Sequence, residues 1–315
     1  MQRSLISTGR GFRLLEDSPV TAEGLRWVDL ESPTEEEFQL LEHGFKFHPL
    51  AVEDCRHLDQ RSKVEEYDDH LFVVLHVYTH APQDPSALIL HELHAFLRKG
   101  LLVTVHDEPV DAVNHVWTRA LKGDASGCLG PAALYHNVAD AMVDQMVPVV
   151  EALDDRVDSI TEMLFGKPST KHLEEILKAK RAVGELRRLT GGAREVLGLL
   201  ARGQYPIVSV QEAVYFRNVL DHLHNISQQV DLARDHVTDA RDLHLNAQSY
   251  RTNEIVKRLS ILATLGLPLT VITGFFGMNF TMLPFDNPEV MVAALGGMVV
   301  LPSTFVLFLW WRSWF

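Results

Sequence analysis

Basic charge is what this chain is short of: 29 Lys and Arg stand against 42 Asp and Glu, for a formal net charge of −13. That balance argues against a nucleic-acid partner, because phosphate binding needs clustered cationic side chains. Partners that are themselves cationic fit better, metal ions among them. Cysteine is scarcer still. Cys55 and Cys128 are the 2 present, too few for a disulfide framework, and no CxxC or Cys/His zinc spacing occurs. A reducing cytoplasm suits the polar part of such a chain. The opening "MQRSLISTGRGFRLLEDSPV" lacks the apolar core of a signal peptide, so membrane insertion has to depend on segments further along.

Charge is absent altogether from two stretches, Leu259 to Met278 and Val290 to Trp311. A bilayer core of ~30 Å is crossed by ~20 helical residues, so each stretch is long enough to span. A pair of buried core helices is the alternative, but soluble helices seldom run this long with no charge on any face. Pro268 and Pro302 are tolerated in membrane helices whose neighbours re-satisfy the backbone. Trp310, Trp311 and Trp314 fit an interfacial aromatic belt. Arg251, Lys257 and Arg258 precede the first stretch and Arg312 follows the second, whereas Asn279 to Glu289 holds no Lys or Arg. The positive-inside rule then predicts a multi-pass protein of the cytoplasmic (inner) membrane with both termini cytoplasmic. The predicted parts are a first span at 259–278, an extracellular loop at 279–289, a second span at 290–311 and a tail at 312–315.

Ahead of the membrane the texture changes once. Residues 1–125 read as an α/β domain: "LRWVDL" alternates like a strand, and "HLFVVLHVYTH", "ALILHELHAFLRKG" and "LLVTVHD" are β-rich runs with a Lys99-Gly100 hairpin. Ser32-Pro33-Thr34-Glu35 predicts a helix start with Ser32 as cap, Pro33 at the first helical position and Glu35 as the capping-box acid. Residues 126–208 read as an antiparallel pair, an acidic helix over 131–165 facing a basic one that carries Lys178, Arg181 and Arg187. Residues 209–258 then form a long stalk helix that runs directly into the first span. A helix of ~65 residues is ~100 Å long, and with so few apolar stripes it needs partners along its length. Two spans per subunit also cannot enclose an aqueous path, so transport would require an oligomer.

One face of the stalk and first span separates from the rest. Asn253, Val256, Ser260, Ala263, Leu267, Thr270 and Gly274 recur at steps of three and four. Small residues at such spacing serve close helix packing or the lining of a pore. The segment "TNEIVKRLSILATLGLPLTVITGFFGMNF" resembles the pore helix of CorA-type divalent-cation channels, whose signature is the Gly-Met-Asn found here at Gly277, Met278 and Asn279. "YFRNVLDH" (215–222) and "QRSKVEEY" (60–67) also resemble that family, so the likeness covers most of the chain.

The resemblance implies an α+β cytoplasmic domain followed by long helices and two C-terminal transmembrane helices, assembled as a funnel-shaped homopentamer. It implies Mg2+ as usual cargo, with Co2+ and Ni2+ also passing, and no enzyme activity. No cofactor is implied beyond transported and regulatory Mg2+. The partners are divalent metal ions, the lipid bilayer and the chain itself. Gly277, Met278 and Asn279 would form the selectivity filter, and Asn253, Ser260, Ala263, Thr270 and Gly274 would line the pore. Val256, Leu259 and Leu267 would be hydrophobic constrictions that close by dewetting. Asp242 would gather cations on the cytoplasmic side. In the family a regulatory ligand is an Asp in the segment reading "YFRNVLDH"; this chain has Asn218 at that position, and Asp221, one turn on, is the candidate metal ligand there beside Asp242.

Two other readings stay open. A ZntB-type zinc transporter shares this architecture, and His222, His224, His236 and His244 along the stalk suit it. A soluble-domain metalloenzyme with a membrane anchor could be read from the 16 histidines and from "HELH" at 91–94. That motif is not HExxH, and residues three apart on a strand point to opposite faces.

Overall fold

The strand β3 (Arg26–Glu31) is buried on both faces, and this fixes the layering around it. The computed structural model describes residues 2–8, 11–15, 23–57, 60–81, 84–123, 130–164, 169–278 and 287–312. They fall into two compact units, Met1–Leu243 and His244–Phe315.

In the first unit β3 is joined by β1 (Gln2–Thr8), β2 (Gly11–Leu14), β4 (Lys63–Glu66), β5 (Leu71–Ala81), β6 (Asp84–Arg98) and β7 (Leu101–His106). The sheet order is β2-β1-β3-β7-β6-β5-β4, and only the β3–β7 pair is parallel. Lys99 and Gly100 close the β6–β7 hairpin as the sequence predicts. Gly100 sits at φ 74°, a left-handed conformation that glycine adopts without a steric cost.

On one face, α1 (Glu35–Gln39), a π-turn at Leu40–Gly44, α2 (Pro49–Arg56) and the link before α2 pack Phe38, Leu41, Val52 and Phe47 against Val28, Phe72 and Phe96. On the other, α3 (Asp111–Leu121), α4 (Pro131–Asp144), α5 (Met146–Leu164), α6 (Thr170–Ala201) and the start of α7 (Val210–Gly277) supply Trp117, Tyr135, Leu186 and Phe216. These meet Trp27, Leu75, Leu93 and Leu97 of the sheet. Each fully buried Leu or Phe contributes about 2 kcal/mol.

Three local expectations are corrected. The cap of α1 is Thr34, not Ser32, and its capping-box partner is Glu37, not Glu35. Ser32 is drawn elsewhere: its backbone N–H donates to His106 O at 2.8 Å and its hydroxyl donates to Asp107 O. The acidic helix over 131–165 is two helices, parted at Gln145. Pro148 cannot donate to the Asp144 carbonyl and its ring crowds that carbonyl. The ion pairing across α5 and α6 also has the reverse polarity, because the described pair is Arg156 of α5 with Glu175 of α6. Lys178 and Arg156 hold the Glu175 carboxyl down at about 2. The acid Asp154 of α5 and the base Arg187 of α6 turn instead to α7, meeting His236 at 2.8 Å and Asp231 at 3.0 Å.

The start of α7 is tied to the start of α4. Glu212 is 6% exposed and completes a capping box with Ser209, accepting from the Ser209 N–H at 2.9 Å and hydroxyl at 2.6 Å. Its other oxygen accepts from Ala133 N–H at 3.2 Å. A Cβ at Gly130 would sit 3.0 Å from that oxygen, so this close approach needs glycine.

Candidate functional site

The second unit holds the C-terminal part of α7 and α8 (Pro288–Trp311). Both helices are, by length and composition, long and apolar enough to cross a membrane. α8 begins at Asn287-Pro288, where the Asn287 side chain accepts from Glu289 N–H at 3.0 Å.

Packing divides the first span into two faces. Ile272, Thr273 and Phe276 line a groove with Val290, Met291, Ala294 and Met298 of α8. On this side Ile261, Leu265, Pro268, Leu269, Ile272 and Phe276 are partly covered. Val256, Ser260, Ala263, Leu267, Thr270 and Gly274 are all exposed. At 3.6 residues per turn the two sets are centred roughly opposite one another. The small and polar stripe is therefore the face that α8 leaves open. Leu267 is 67% exposed, Leu259 63% and Val256 53%, and Asn253 is exposed as well. Thr270 donates its hydroxyl to Gly266 O at 3.0 Å, which keeps a hydroxyl oxygen available on the open face.

α7 ends at Gly277, and the Met278 N–H donates to Phe275 O at 3.3 Å. Asn279 lies outside the described residues. The C-terminal end of a helix carries a partial negative charge, which favours cations over anions. Of the remaining expected ligands, Asp221 is exposed, and Asp242 is paired with its neighbour Arg241 at 2.8 Å. Both partners of that pair are well exposed, so it holds the carboxylate only weakly.

The described residues that converge as metal ligands are Asp140 and Asp144 of α4 and His222 of α7, whose donor atoms lie within 4.8 Å of one another. His222 Nδ1 stands 3.9 Å from Asp140 Oδ1, and that oxygen has no hydrogen-bond partner. Burial and the charge of Asp140 push the Asp144 carboxyl up from its ordinary value. A cation beside the pair would relieve the repulsion that Asp144 feels. Asn218 lies one turn before His222, on the same side of α7. The sequence showed the Asp140/Asp144 pair one turn apart, but not the distant helix that completes the group. "HELH" is on β6, where His91 and His94 face opposite sides of the sheet. His94 Nε2 lies 2.7 Å from Glu92, which is also reached by His76 Nε2 at 3.2 Å.

An α/β unit whose last helix leads into a pair of membrane-length apolar helices, one with an open polar stripe, defines a class: two-span membrane proteins of the ion-transporter type. A family model described as "CorA-like Mg2+ transporter protein" matches residues 22–312, and the chain belongs to that family. The "Cobalt/magnesium transport protein CorA" of Thermotoga maritima is 33% identical over 247 residues, covering 76% of this chain and 68% of that protein. The complete structure of the CorA magnesium transporter from Methanocaldococcus jannaschii shares the fold at a TM-score of 0.86 and 20% identity, over 100% of this chain and 99% of that one. The ZntB cytoplasmic domain from Vibrio parahaemolyticus shares the fold at a TM-score of 0.67 and 10% identity, over 79% of this chain and 98% of that one.

Proposed function

We propose that the chain is a divalent-cation channel that moves Mg2+, with Co2+ or Ni2+ as further cargo, across the cytoplasmic membrane. The single observation that carries this is the open stripe of α7, opposite the face packed on α8 and ending at Gly277 and Met278. A stripe left open in one chain has to be covered or wetted. Five copies placing it around a common axis make a pore in which Asn253, Ser260, Ala263, Thr270 and Gly274 face water. Val256, Leu259 and Leu267 narrow this pore as rings that exclude water. Gly277, Met278 and Asn279 would stand at its outer mouth, with both termini in the cytoplasm. In this reading the chain is not an enzyme and needs no resident cofactor.

Mg2+ gives up its hydration shell reluctantly. A ring of neutral carboxamides can accept hydrogen bonds from that shell without stripping it. The experiment is uptake of Mg2+ and Zn2+ by cells lacking their own transporters, expressing this chain. Mg2+ uptake at least roughly tenfold above the empty-vector level is expected, a difference worth about 1.4 kcal/mol at the barrier. Zn2+ uptake without Mg2+ uptake would favour the ZntB-type reading, which the imidazole of His222 beside Asp140 and Asp144 supports.

Regulation belongs to the Asp140–Asp144–His222 group. Cytosolic Mg2+ bound there would neutralise the two carboxylates and steady α4 against α7. Asn218, one turn before His222, would offer this group a carbonyl oxygen but no charge, and hard cations depend on carboxylates. Asn218→Asp is expected to lower the Mg2+ concentration that protects the protein from limited proteolysis by roughly threefold to tenfold, the effect of one nearby charge at intermediate dielectric. An unchanged midpoint would remove position 218 from the site.

A further inference from the structure

Among the described residues, each ring nitrogen of His106 faces an acceptor. Nδ1 lies 2.6 Å from Glu108 O, and Nε2 lies 3.2 Å from Asp29 Oδ1. A neutral imidazole can donate from only one nitrogen, so satisfying both contacts requires the doubly protonated ring. His106 is 2% exposed and Asp29 0%, which leaves water no access to mend a broken contact. Around them Thr104 donates its hydroxyl to Asp29 and accepts from Trp27 Nε1–H at 3.0 Å, while Arg3 Nε donates to Asp29 Oδ2 at 2.8 Å.

The ring sits at a strained junction. His106 ends β7 beside Glu31 of β3, and its carbonyl receives the Ser32 N–H. Ser32 is held at φ 46°, a left-handed conformation that costs a non-glycine residue roughly 1 kcal/mol or more and persists only under surrounding constraint. The constraint is the pair of strand exits: Ser32 to His106 and Asp107 on one side, His106 to Glu108 on the other.

We propose that the His106 imidazolium is a proton-controlled latch joining the exits of β3 and β7, released on the alkaline side so that residues 32–34 and 107–110 open. The charged and titratable groups around it are Asp29 and Glu31 of β3, Arg3 of β1 acting through Asp29, Asp107 and Glu108 of the following loop, His91 of β6 and Asp111 of α3. Burial works against the charged ring, but the hydrogen bond and charge of Asp29, the Glu108 carbonyl and Glu31 outweigh it, and the net direction is up from the ordinary value. A raised histidine stabilises fully below its ordinary value of about 6.5 and loses that contribution as pH climbs through the raised value. On losing its proton the ring keeps one donor. The other nitrogen then presents a lone pair to an acceptor, so the ring no longer ties β3 to the segment after β7 and both exits are freed. The latch needs no metal, so it is independent of the Asp140–Asp144–His222 group.

The test is hydrogen exchange read by mass spectrometry on the full chain in detergent, from about pH 6 to about pH 9, after dividing out the base-catalysed intrinsic rate. Peptides spanning 28–35 and 104–111 are expected to lose roughly tenfold in protection over that range, while β5 peptides keep theirs. His106→Gln, which cannot become a cation, is expected to give the opened pattern at every pH. Nitrogen NMR of histidine-labelled wild-type protein, with the His106 signal identified by that variant, should show two protonated ring nitrogens at about pH 6. A singly protonated ring there overturns the latch, and so does protection that changes equally in all strands.

Discussion

Asn279→Ala is expected to reduce Mg2+ uptake by roughly a hundredfold while leaving the assembled oligomer intact. Each carboxamide removed forfeits about 1 kcal/mol of hydrogen bonding to the hydrated ion. A ring forfeits several such contacts, and a barrier raised by about 3 kcal/mol slows passage roughly hundredfold. Assembly should survive because the residue follows the end of α7 at Gly277, and the groove described above is lined by Ile272, Thr273 and Phe276 with residues of α8. Near-normal uptake by the variant, at equal expression and with the same sedimentation, would mean that selectivity resides elsewhere in the pore.

Leu267→Ala is expected to act in the opposite direction, raising cation flux into liposomes by roughly tenfold, as for a barrier lowered by about 1.4 kcal/mol. An aliphatic ring in a narrow pore excludes water, and shortening every member by three carbons lets water enter. Leu267 is 67% exposed, so the substitution opens no cavity between α7 and α8. Were it packed as a core residue, the loss would be about 2–5 kcal/mol of stability, visible as a lower Tm. Unchanged flux with a depressed Tm would make Leu267 a packing residue and not a gate.

Which features could be read from the amino-acid order depended on how far apart the interacting residues lie. The span composition, the open stripe and the Lys99-Gly100 hairpin are short-range patterns, and each was visible before the fold. The start of α1 was not, because "SPTEEE" contains two capping boxes in different frames. Ser32-x-x-Glu35 and Thr34-x-x-Glu37 satisfy the same rule, and the choice is made by Asp107, which claims the Ser32 hydroxyl. Charge blocks misled in a similar way. The acids of α5 and the bases of α6 suggest attraction between those two helices, yet α7 lies within reach of both and takes Asp154 and Arg187 as partners. The Asp140–Asp144–His222 group and the Asp29–His106 contact each join segments far apart in the chain. The first needs α4 beside α7, and the second needs the parallel register that sets Glu31 against His106.

The shared carboxylate of Glu212 has a mechanical consequence. One buried anion serves the first turn of α7 and, through Ala133, the first turn of α4. Neither helix start can swing away without stranding a buried acceptor or an unpaired N–H, at a cost of about 1–3 kcal/mol. The joint is therefore the fixed point about which any change of angle between α4 and α7 would have to turn. Asp140 and Asp144 lie further along one arm and His222 along the other, so closing or opening the gap between these three residues is a change of angle about a fixed point. A cation bound there, as proposed above, would draw the arms together and apply torque at the base of α7 without pushing along its length.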